Sequence, residues 1–135
     1  MKGINNLTLA STKLQNIYKS FSIMAVVIYM ALIFYLSSIP LKFPEIVNKL
    51  DPTKFSLHIV EYSILGLLLF NLTKNFKYSS LIGTLYGISD EIHQYFVPFR
   101  SMDIFDIIAD VVGVLIGIKL YVFLEKKIRI SSRSS

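Results

Sequence analysis

The chain offers nine carboxylates, two imidazoles and no cysteine for acid–base work or metal ligation. Five of those acids (Asp90, Glu91, Asp103, Asp106 and Asp110) and one of the histidines (His93) fall within residues 89–110. The other histidine, His58, stands three residues before Glu61. An imidazole beside a carboxylate suits general acid–base catalysis. Carboxylates with imidazole also suit zinc, manganese or iron, and Asp90, Glu91 and His93 could form such a set with Asp110. No H-E-x-x-H spacing, phosphate loop, nucleophile elbow or nucleotide fingerprint is present, so metal and cofactor stay open. The competing reading of the same residues is a polar network that locks helices together.

These groups sit in apolar surroundings. The chain is 53% hydrophobic and 17% charged, too apolar for an ordinary soluble domain and too poor in turn residues for a β-barrel. The composition predicts an all-α polytopic membrane protein, a compact bundle of four transmembrane helices at about 21–38, 55–72, 78–97 and 102–124. An interfacial segment over 1–20 leads into it, with Leu14, Ile17, Tyr18 and Phe21 at helical spacing. A basic tail over 125–135 follows. The first apolar run is long for a signal peptide and no small-x-small cleavage site follows it, which favours an uncleaved helix. The third segment is apolar only up to Ile88 and is the weakest of the four by hydropathy. The net charge of +5 does not point to nucleic acid, because the bases lie just outside the apolar runs, where membrane topology places them.

With both termini cytoplasmic, ten of the fourteen bases fall inside. Only Lys42, Lys49, Lys54 and Arg100 fall outside, a clear positive-inside bias. At 1.5 Å per residue, His58 then lies roughly 5 Å and Glu61 roughly 9 Å below the outer surface. On the same scale His93 lies roughly 6 Å, Asp90 roughly 10 Å, Asp106 roughly 5 Å and Asp110 roughly 10 Å deep. Three helices deliver their ionisable groups to one layer in the outer half of the membrane. Lys54, His58 and Glu61 share one helix face, as do Asp90, His93 and Gln94, and as do Asp103, Asp106 and Asp110. The last stripe runs into Ala109, Gly113 and Gly117, spaced for close helix approach. Ser101 or Asp103 is placed to cap the last helix, and Arg100 to clamp a phosphate or carboxylate or to pair with Asp103. Charged groups at such depth face a wet cavity, pair with one another or are neutralised, and usually mark a functional site.

Three motifs resemble the VanZ-like family of small bacterial membrane proteins: Ser37, Ser38 and Pro40 ending the first span; Lys54, His58, Glu61, Tyr62 and Gly66; and Asp90, Glu91, His93, Gln94, Phe96, Pro98, Arg100 and Ser101. Asp106, Asp110 and Gly113 continue the pattern, and Phe99 departs from it where the family usually has glycine. The resemblance implies a multi-pass protein of the bacterial cytoplasmic membrane. Its namesake is associated with low-level resistance to teicoplanin, a lipoglycopeptide that acts outside that membrane. The expectation is an outward-facing intramembrane site that binds or acts on an envelope component, such as a lipid-linked cell-wall precursor or an anionic lipid headgroup. His58, Glu61, Asp90, Glu91, His93 and Asp110 are the candidate catalytic groups, with Lys54, Gln94, Arg100 and Asp106 as candidate binding groups. An intramembrane, metal-dependent lipid-headgroup hydrolase or transferase is the alternative, and a proton-coupled transporter the third.

Overall fold

The computed structural model describes residues 2–39, 55–98 and 100–132, with side chains from Ser11 onward. Lys54 and Phe99 lie outside the described residues. Four helices make up the described chain: α1 (Lys2–Ser38), α2 (Phe55–Thr73), α3 (Phe76–Tyr95) and α4 (Ile104–Ser131). The segment Ser11–Ser38, α2 and α4 are each long and apolar enough to cross a membrane; α3 is not among them. Between Gly3 and Pro40 no glycine or proline interrupts the chain, so α1 is one unbroken helix through the 1–20 region. α4 likewise runs on through the basic stretch to Ser131. α3 stops at Tyr95, ahead of Pro98, which disfavours helical backbone at Val97.

Only Lys74 and Asn75 separate α2 from α3. Lys74 adopts a left-handed backbone (φ 51°), and the Asn75 side chain accepts from the Tyr78 amide at 3.2 Å to cap α3. So short a link makes the two helices antiparallel neighbours. Asp103 caps α4 by accepting from the Phe105 amide at 2.9 Å. The start of α2, the end of α3 and the start of α4 therefore meet at one end of the bundle.

α2 packs most extensively against α4. Glycines permit this: a Cβ at Gly113 would lie 2.7 Å from the Ile59 carbonyl oxygen, and Cβ atoms at Gly66 and Gly117 would collide with the Val114 and Ser63 backbones. In lipid, such close contact replaces the hydrophobic drive that joins helices in water. Val26 and Ile33 of α1, Tyr62, Leu65 and Leu69 of α2, and Val114 and Ile118 of α4 form the apolar core. Hydroxyls fasten α1: Tyr29 donates to the Glu61 carbonyl at 3.1 Å and Tyr86 to the Met30 carbonyl at 2.5 Å.

The polarity of the bundle is inverted. Leucine, isoleucine, valine and phenylalanine cover the outside, including Leu81, Leu85 and Ile92 on α3, while Ser79, Asp90, Glu91, Gln94 and Asp110 are buried. An exterior of this kind belongs in hydrocarbon rather than water.

Candidate functional site

Two polar arrangements occupy the end of the bundle where α2, α3 and α4 converge. The first lies among the helices. Asp110 projects from α4 with no solvent exposure, and its Oδ1 meets His58 Nδ1 of α2 at 2.9 Å. Asp106, one turn earlier on α4, brings Oδ2 to 3.7 Å from His58 Nε2. Glu91 of α3, also wholly buried, accepts from the Asp103 amide through Oε2 at 3.1 Å. His58, Glu91 and Asp110 each bring a potential ligand atom within 4.8 Å of the others. Their remaining oxygens, Glu91 Oε1 and Asp110 Oδ2, are buried without a hydrogen-bond partner.

Gly87 makes this possible. It lies one turn before Glu91, and a Cβ there would stand 2.8 Å from Asp110 Oδ2. Gly87 was not among the sequence-derived candidates. The available signal was the run Ser79, Gly83, Gly87, Glu91, all four residues apart and all buried on one α3 face.

The second arrangement is a cavity of about 380 Å³ between α1, α2 and α3. His58, Glu61, Asp90, Gln94 and Arg100 form its polar wall, and Leu57, Val60 and Ile64 its apolar lip. Val60 and Ile64 are exposed on the bundle's apolar exterior, so the cavity opens sideways. Asp90 Oδ2 accepts from Gln94 Nε2 at 3.0 Å, while Asp90 Oδ1 is buried without a partner. Arg100 donates to Gln94 Oε1 at 3.1 Å, to the Leu36 carbonyl at 3.1 Å and to the Ile39 carbonyl at 3.0 Å. Its fork thus holds the end of α1 against α3, which leaves the wall richer in acceptors than in donors.

The candidates therefore divide. His58, Glu61, Asp90, Gln94 and Arg100 face the cavity, with Glu91, Asp106 and Asp110 behind His58. His93 does not join them: its ring stacks on Phe34 at 4.2 Å and its Nε2 meets Ser38 Oγ at 2.9 Å, both on α1.

Membrane-crossing helices, an apolar exterior and a cavity with an ionisable wall near one end define a helical membrane protein with an internal polar site. A family model described as VanZ/LLP1 matches residues 21–125, and the chain belongs to the VanZ-like family. No curated protein and no solved structure matches it.

Proposed function

We propose that the chain is a binding protein of a bacterial cytoplasmic membrane that holds the headgroup of an envelope amphiphile in the α1–α2–α3 cavity. The observation that carries this is the cavity's lining, in which Val60 and Ile64, exposed on the apolar exterior, adjoin a wall of ionisable groups. At about 380 Å³ the cavity is at the small end for ligand sites of roughly 300–1,000 Å³. It suits a headgroup whose chain remains in the bilayer. The Glu61 carboxylate and Asp90 Oδ1 accept, and most Arg100 donors are engaged internally. A headgroup rich in hydroxyl, amide or ammonium donors fits this wall better than a bare phosphate, and the sugar and peptide part of a lipid-linked cell-wall precursor has that chemistry.

In this reading all four helices span the membrane, both termini are cytoplasmic, and the cavity lies in the outer leaflet. The apolar outer face of α3 supports its counting as a span. Binding of an outer-leaflet envelope lipid gives low-level protection against teicoplanin.

Expression in a teicoplanin-sensitive host tests the reading, with Glu61→Gln and Asp90→Asn variants matched for membrane level. Wild type raises the inhibitory concentration, and each variant loses most of that rise. Equal protection by the variants, or none by wild type, refutes it.

A further inference from the structure

The cluster behind His58 has a charge problem that the cavity does not solve. Asp110 and Glu91 are wholly buried, and Asp106 Oδ2 stands 3.7 Å from the same imidazole. Among the described residues His58 is the ion-pair partner of Asp110, and Arg100 points instead at Gln94 and the α1 carbonyls. Glu91 Oε1 and Asp110 Oδ2 have no hydrogen-bond partner. An unpaired buried carboxylate oxygen costs several kcal/mol on general grounds. Yet Gly87, which has no Cβ to obstruct it, admits Asp110 to this place.

We propose that His58, Glu91 and Asp110 bind one divalent transition-metal ion between α2, α3 and α4. One imidazole and two carboxylates from three helices form a donor set suited to zinc, manganese or iron. Their ligand atoms lie within 4.8 Å of one another. Donors around an ion with bonds of about 2.1 Å sit roughly 3–3.5 Å apart, so side-chain adjustments of about 1 Å close the site. With Nδ1 turned to the ion, His58 Nε2 faces Asp106, an outer carboxylate able to orient the ring. The ion satisfies the two unpartnered carboxylate oxygens and ties α4 to α2 and α3, two of the helices that wall the cavity. The site stands on these residues alone and does not depend on which amphiphile the cavity holds.

The test uses the full chain, purified with a histidine-free tag, reconstituted in lipid nanodiscs, stripped with chelator and titrated with Co²⁺. One Co²⁺ binds per chain, with visible absorption bands that Zn²⁺ abolishes, and the ion raises the wild-type melting temperature. Glu91→Gln and Asp110→Asn each weaken Co²⁺ binding by about 100-fold or more, and Asp106→Asn by about 10-fold, as expected of inner and outer partners. His93→Gln binds as wild type. Helical ellipticity verifies the fold of each variant; where a variant does not fold, the wild-type titration and melting shift decide. Folded wild type that shows no saturable Co²⁺ binding, or folded Glu91→Gln and Asp110→Asn that bind like wild type, overturns the proposal.

Discussion

Replacing Gly87 with alanine probes the buried cluster without removing any of its polar groups. The added Cβ would meet Asp110 at 2.8 Å from Oδ2, 3.0 Å from Cβ and 3.3 Å from Cγ. An ordinary contact needs about 3.5 Å, so the carboxylate must retreat by about 0.7 Å. A retreat along the bond axis stretches the 2.9 Å bond to His58 Nδ1 to about 3.6 Å, beyond a useful hydrogen bond. Losing a buried bond to a charged group costs about 1.5–3 kcal/mol. Alanine recovers about 1 kcal/mol of helix propensity over glycine. The net loss is therefore about 0.5–2 kcal/mol, read by unfolding in a denaturing-detergent titration. The selective readout is the ¹⁵N spectrum of the His58 imidazole, which shifts in Gly87→Ala. Gly83→Ala is the control, because the atoms nearest its Cβ are methyl carbons of Val114 and Leu69, at 2.6 Å or more; it lowers stability and leaves the His58 signals in place. A Gly87→Ala protein that gains about 1 kcal/mol with an unchanged imidazole spectrum would refute the seating of Asp110 against α3.

Gly117→Leu drives a side chain into the Ser63 and Leu67 backbone, which cannot move without separating α2 from α4. It costs about 3 kcal/mol or more, and the amount of protein in the membrane falls. Arg100→Lys keeps the charge and loses the fork that reaches Gln94, Leu36 and Ile39. It costs about 1–3 kcal/mol in the same detergent titration. The chain has no cysteine, so single replacements report topology: Ser101→Cys reacts with an impermeant maleimide in intact cells, and Ser132→Cys only after permeabilisation.

Much of this arrangement is written in spacing. His58 and Glu61 near the start of one apolar segment, and Asp106 and Asp110 near the start of another, mark one end of a bundle from helix rise alone. Gly113 and Gly117 announce a tight interface in the same way. The partner of that interface is not written in α4, since a small-residue stripe does not say which helix approaches it. α2 supplies it, with Gly66 against Val114. His93 shows a similar limit. Its three-residue spacing from Asp90 places both on a broad face, but His93 turns to α1, against Phe34 and Ser38. Glu91, a quarter-turn from Asp90, turns the other way and reaches the Asp103 amide. Rotations of that size depend on helix packing, which periodicity within one segment does not encode. The hydropathy of α3 is low for a related reason: its inward face carries serine, glycine and acids, while its outward face remains apolar.

The most direct measurement is native mass spectrometry of the chain released from bacterial membranes in nanodiscs, wild type beside Ile64→Trp. Ile64 lies on the apolar lip of the cavity, and a tryptophan there fills the opening. The account predicts one amphiphile retained per wild-type chain, with a donor-rich headgroup, and its loss from a correctly folded Ile64→Trp protein. Wild type that carries no retained amphiphile, or a tryptophan variant that retains the same one equally well, would contradict it.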